Sequence, residues 1–225
     1  MISGGRADCV LVVACDSITE FVFSGFSSLM ALDKTVSRPF DRGRSGLSLG
    51  EAAAYALIMS RERALREDRE IIAEISGWGL SDDANHMTGP SRTSEGMILA
   101  LERALNSAGC SSEDISFISA HGTGTIYNDQ MEMRAYRSVF ANESVPVYSI
   151  KGALGHTLGA AGLVEMIIAA RALREHQVPP TVNLKDVDAD AIGWASTDAQ
   201  AICKGRKALV VNAGFSGINT ALVLS

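Results

Sequence analysis

Ile115-Ser-Phe-Ile-Ser-Ala-His121-Gly-Thr-Gly-Thr125 runs from an apolar stretch straight into a turn of glycine and threonine. Residues 115–120 read as a strand, and His121 emerges at its end, where clefts form in α/β sheets. Residues 129–140 read as a helix. Residues 145–150 read as a second strand, ending at Lys151. A second glycine-rich turn follows, Lys151-Gly-Ala-Leu-Gly-His156. Residues 158–176 then form a long helix rich in Ala and Gly, hence closely packed. Strand and helix alternate across this stretch, which sets the class as α/β with a mixed sheet.

Outward from there the alternation continues. Residues 9–14, Cys-Val-Leu-Val-Val-Ala, read as a strand buried on both faces. Residues 21–32 read as helix and 36–46 as loop. The charged stretch 61–69 favours a helix with a solvated face. Residues 70–80 alternate as a strand. Residues 93–108 fit an amphipathic helix whose stripe is Ile98, Leu99, Leu101 and Leu105. Ser112 is placed to cap a short helix. Residues 207–214 and 218–224 form a final strand pair around Gly214-Phe-Ser-Gly217. The first of these echoes residues 7–16, a weak hint of duplication.

Composition narrows the function classes. The chain has 225 residues, 47% hydrophobic and 20% charged, with a net charge of −6. That suits a globular protein with a sizeable core. Nothing in the charge favours nucleic acid or an anionic membrane, and no apolar run reaches the length of a membrane span. Cys9, Cys15, Cys110 and Cys203 show no CxxC or metal spacing, so free thiols in a reducing cytoplasm are expected. No phosphate-binding glycine loop is present. His86 and His176 read as structural or surface residues.

One histidine at a strand end is structural more often than catalytic. Two in similar glycine-rich turns change that weighing. His156 precedes a helix, whose N-terminus disfavours an imidazolium. A neutral imidazole with a donor N–H stabilises an oxyanion, and two aimed at one oxygen do so together. Glu132 is placed to pair with Lys151. Asp129 fits a helix start or simply a cap. Phe215 between glycines fits either a packed turn or a movable ring at a pocket mouth.

These motifs resemble the β-ketoacyl-acyl-carrier-protein synthases, condensing enzymes of fatty acid and polyketide synthesis. The likeness is carried by Ser37-Arg-Pro-Phe-Asp41, His86-Met-Thr-Gly-Pro90, Ala120-His-Gly-Thr-Gly-Thr125 with Asn128-Asp129, Lys151 to Gly162 with Glu165, and Gly214-Phe-Ser-Gly-Ile-Asn219. The resemblance implies a thiolase-like fold, layered α/β/α/β/α. Residues 1–69 would be the remainder of an incomplete N-terminal half, and 70–225 the C-terminal half. It implies that His121 and His156 bind the malonyl thioester carbonyl and stabilise its enolate. Lys151 and Glu132 would be the supporting charged pair. Thr123, Thr125, Gly214 and the gating Phe215 would contact substrate. Acyl- and malonyl-loaded carrier protein would be the partners, in a homodimer or a heterodimer with a ketosynthase, without cofactor or metal.

The chain departs from the family pattern in three places. The nucleophilic Cys of the family sits on an elbow expected before Met1, and none of the four cysteines has that context. Gly50-Glu-Ala-Ala-Ala54 replaces a glycine-rich stretch, and Ile126 stands where a proline is usual. Condensation by this chain alone is therefore expected to fail, with malonyl decarboxylation remaining at most. A non-catalytic partner akin to a chain-length factor and a thiolase acting on coenzyme A thioesters are the alternatives.

Overall fold

The computed structural model describes residues 1–141, 143–202 and 207–225; Cys203 lies outside them. In chain order the elements are β1 (Cys9–Asp16), α1 (Glu20–Ser28), β2 (Ala52–Met59), α2 (Arg61–Arg66), β3 (Ile75–Asp82) and α3 (Glu95–Ala108). Next come β4 (Ile115–Ser119), α4 (Ile126–Val139), β5 (Val147–Tyr148), α5 (Lys151–Leu154) and α6 (Ala161–Glu175). The chain ends with β6 (Gln177–Val178), β7 (Gln200–Ala201), β8 (Lys207–Ala213) and β9 (Ile218–Leu224).

Five strands form one mixed sheet in the order β3-β9-β8-β4-β5. β4 runs parallel to both β5 and β8, while β9 is antiparallel to β8 and β3. Every residue of β4 is buried. An irregularity in register between Ile115 and Phe117 breaks the alternation, so Ile115 and Ile118 both meet one core and Phe117 the other. β8 also meets both cores, with Leu209 and Val211 on one side and Ala208 and Val210 on the other. An apolar strand covered on both faces needs a helical layer on each. α3 and α4 supply one, and α6 supplies the other.

α6 is itself sandwiched, because its far side packs on β2. β2 pairs antiparallel with β1 from Cys9↔Met59 to Asp16↔Ala52. The layers are thus α3/α4, the five-stranded sheet, α6 and the β1–β2 pair. No described helix forms the expected fifth layer. β1 is therefore not buried on both faces: Leu11 and Val13 are 61% and 64% exposed. Only the face that meets α6 and the turn before it is shielded.

Several local expectations shift. The cap is Ser111, whose side chain joins a capping box with Asp114, rather than Ser112. α4 begins at Ile126 behind Thr125, so Asp129 is neither its start nor its cap. The strand expected over 145–150 keeps only two ladder residues, and Lys151 opens α5. In α3 the buried stripe is Gly96, Met97, Ala100, Leu101, Ala104 and Leu105, while Leu99 is exposed. Among the described residues no helix is long and apolar enough to cross a membrane.

Candidate active site

Three parallel strands end at one edge of the sheet, and each delivers a polar residue there. β4 leads to His121, β5 to Lys151, and β8 to Asn212 near its end. Clefts at the carboxyl ends of parallel strands are where such folds bind ligands. His156 arrives from the turn between α5 and α6. Its backbone N–H donates to Ser48 O at 2.7 Å, and its carbonyl accepts from Gly50 N at 3.0 Å. The loop before β2 thus fixes one histidine while the large sheet fixes the other. The two imidazoles meet edge to face, with centroids 5.2 Å apart and planes at 83°.

The His121 turn is tied down by side chains beneath it. The His121 and Gly122 N–H groups donate to the two Glu132 oxygens at 2.8 and 2.7 Å. Gly122 has φ +41°, and a Cβ there would lie 2.6 Å from Ser149 Cβ. Only glycine meets both demands. Ser149 Oγ then donates to Gly122 O at 2.7 Å.

Lys151 is buried, and its ammonium donates to the His121 carbonyl at 2.5 Å and to Glu165. Its ion-pair partner is therefore Glu165 on α6, not Glu132. Glu132 accepts instead from the His121 turn, Asn128 and Tyr136. Sequence separation alone could not separate the two glutamates. Both lie within 20 residues of Lys151, and only the crossing of α6 over β4 and β8 decides between them.

Burial and the Lys151 charge hold His156 down to about 3. Burial, Lys151 and His156 hold His121 well below the usual imidazole range. Both rings are neutral at physiological pH. His156 Nδ1 accepts the Leu158 N–H at 3.2 Å, which leaves the proton on Nε2. His121 Nδ1 lies 3.4 Å from Lys151 Nζ and 3.2 Å from Asn212 Oδ1. An ammonium has no lone pair, so it requires Nδ1 to accept, while the amide oxygen would take a proton. The ammonium carries the full charge, so Nε2–H is the favoured tautomer here too. The pair presents two N–H donors with a buried cation behind them.

Phe215 is 48% exposed and stacks on Phe26, centroids 5.5 Å apart. Phe26 lies 6.4 Å from the His156 ring. Gly214 holds the turn through its N–H to Ile218 O at 2.8 Å. Thr123 is buried and its hydroxyl lies 2.9 Å from that of Thr125. Both threonines thus brace the turn within the described contacts. Sequence reasoning missed Asn212, Tyr136 and Phe26. Asn212 carried a signal, as a polar residue closing an apolar strand. Phe26 carried none, since α1 reaches the site only through tertiary structure.

None of the described cysteines stands at the histidine pair. Cys15 shares the exposed face of β1 with Leu11 and Val13. Cys9 opens that strand, and Cys110 follows α3, where burial pushes its thiol up.

Comparison with known proteins gives a consistent set of relatives. Residues 72–185 match the family described as Beta-ketoacyl synthase, C-terminal domain. The 3-oxoacyl-acyl-carrier-protein synthase 2 of Coxiella burnetii is 35% identical over 235 residues, covering 100% of this chain and 56% of that protein. The ishigamide ketosynthase/chain length factor superposes with a TM-score of 0.92 at 35% identity, over 100% of this chain and 55% of that one. A type II PKS acyl-carrier protein in complex with its ketosynthase, AntDE:AntF, gives 0.93 at 28% identity, over 99% and 57%. The chain spans about half the length of the relatives it matches. The shared fold is thiolase-like, α/β with mixed sheets.

Proposed function

The chain belongs to the β-ketoacyl synthase family, and from that membership we propose that it carries the carbonyl-binding half of a decarboxylative condensing site. The substrate is a malonyl thioester on an acyl carrier protein. The observation that carries this reading is the pair of neutral imidazoles at 5.2 Å, backed by buried Lys151. The thioester carbonyl oxygen accepts from both Nε2–H groups. The bond between the methylene and the carboxylate breaks, CO2 leaves, and its electron pair moves into the carbonyl as an enolate. Donors preset for that developing charge lower the barrier without reorganising. The enolate carbon then attacks an acyl thioester, whose carbon–sulfur bond breaks and whose sulfur leaves as thiolate; where no acyl thioester is bound, the enolate carbon takes a proton from water. Phe215, with Gly214, Thr123 and Thr125, borders the entry for substrate. Glu165 holds the Lys151 side chain in place through their ion pair, and Glu132 holds the His121 backbone.

Residues 1–69 act as the remainder of a first thiolase-like half and 70–225 as the second. The acyl nucleophile is not supplied by Cys9, Cys15 or Cys110. The partners are a carrier protein and a ketosynthase subunit, as in the carrier-bound relative, and the setting is the cytoplasm. CO2 release from malonyl-loaded carrier protein tests this reading. The chain is expected to release CO2, and His121→Ala and His156→Ala each to lower the rate on the order of 100-fold. Mass spectrometry after incubation with acyl carrier protein is expected to show no acyl adduct on those three thiols. A second reading, a partner of the chain-length-factor kind, is supported by the likeness to the ishigamide ketosynthase/chain length factor. It requires no CO2 release from the wild-type chain alone, and full retention of binding to a ketosynthase when both histidines are replaced.

A further inference from the structure

Glu132 is fully buried in α4 and receives four donors. Its Oε1 accepts the His121 N–H at 2.8 Å and the Tyr136 hydroxyl at 2.6 Å. Its Oε2 accepts the Gly122 N–H at 2.7 Å and Asn128 Nδ2 at 2.8 Å. Each oxygen thus bridges one amide of the histidine turn to one side chain of the helix. Tyr136 lies one turn beyond Glu132, so helical spacing stacks its hydroxyl on the carboxylate. The ring is wholly buried in the core beneath α3 and α4. Phenylalanine would fill that volume without a hydroxyl to desolvate, so packing alone does not account for tyrosine.

We propose that Tyr136 is a positioning residue for the reaction assigned above: through Glu132 it fixes the backbone that carries His121. The inference rests on that assignment for its kinetic readout only. Losing the hydroxyl leaves Oε1 with one donor and lets the carboxylate turn or take up a proton. Either change releases an N–H of the turn, and the Nε2–H of His121 loses its aim. Burial already pushes Glu132 up, while Tyr136, the Gly122 N–H, Lys151 and the His121 N–H pull it down. The other charges near the pair are Asp129 on the same helix and Glu165 on α6.

Tyr136→Phe and Glu132→Gln, singly and together, test the link in the full chain. The amide NMR signals of His121 and Gly122 are followed as pH falls. Tyr136→Phe is expected to raise their titration midpoint, and replacing Tyr136 with 3-fluorotyrosine, a stronger donor of nearly the same shape, to lower it. In CO2 release, Tyr136→Phe is expected to lower kcat about tenfold with KM unchanged, the size of a partial loss of orientation. The double variant is expected to be no slower than Glu132→Gln alone. Unmoved amide midpoints in both Tyr136 replacements overturn the proposal, as do effects that multiply in the double variant. A wild-type chain that releases no CO2 overturns the assigned reaction instead, and the amide titration still decides the role of Tyr136.

Discussion

His156 and Asp129 are pushed in opposite directions by the same burial, and their opposition has a measurable consequence. His156 titrates at about 3 in the fold against 6.5 ordinarily. Between those values the unfolded chain holds a proton that the folded chain lacks, so this contribution makes stability rise with pH. Burial and the neighbouring Glu132 push Asp129 up to about 7 from 3.8, against the pull of Phe40 N–H and Arg44. Between 3.8 and 7 the folded chain holds the extra proton, so stability falls as pH rises. From pH 4 to 6.5 the two contributions cancel. Asp129→Asn is expected to steepen the rise of unfolding free energy with pH by about 1.4 kcal/mol per unit, and His156→Gln to flatten it by a like amount. Chemical denaturation across that range measures both slopes, and slopes that change in the same sense would refute the assignment. The histidines and Lys151 were legible because each sits in a locally coded turn. Which glutamate meets the lysine was not, because both stand at similar separations from it and only the packing of α6 against the sheet decides between them.

At the scale of elements, β3 and α3 show why a hydrophobic stripe can be misread. Their backbones approach so closely that a Cβ on Gly79 would lie 1.9 Å from Ala100 O. The residues at closest approach must then be small, and Ala100 and Ala104 are fully buried while Leu99 is exposed. A reading that weights large apolar side chains ranks those positions in reverse. Elements set by their own sequence, such as β4, α6 and the β8–β9 pair, came through nearly intact. β5 is shorter than its apolar stretch suggests because the Ser149 N–H donates to the Thr181 hydroxyl rather than to a neighbouring strand. Gly79→Ala is expected to destabilise the fold by about 1–3 kcal/mol in denaturant unfolding, since helix and strand must part. Gly25→Ala on α1 serves as the contrast. Nothing lies within 4 Å of that position, so alanine is expected to leave stability unchanged or raise it by up to about 1 kcal/mol. Equal losses at both positions would mean that close approach is not what the glycine of β3 serves.

Across the whole molecule, the five-stranded sheet and the β1–β2 pair differ in what covers them. Val-Leu-Val-Val in β1 and Leu-Val-Val in β8 read alike, yet β8 lies between two helical layers and β1 has one. Periodicity reports that a strand is apolar; it cannot report how many layers the rest of the chain supplies. The outer face of the β1–β2 pair consequently presents Leu11, Val13, Tyr55 and Leu57, each more than half exposed. An apolar patch shared by paired strands, with an unpaired strand edge beside it, favours association. The 225-residue chain is therefore expected to associate as its concentration rises through the micromolar range. Leu11→Thr, Val13→Thr and Leu57→Thr together keep β-branched or β-tolerant residues in the strands while removing apolar surface. That variant is expected to shift towards monomer, with an unchanged far-ultraviolet spectrum and unchanged CO2 release, since none of the three faces α6 or the histidines. Size-exclusion chromatography with light scattering reads the outcome. A wild-type chain that stays monomeric at every concentration would show that this face is not sticky enough to drive assembly.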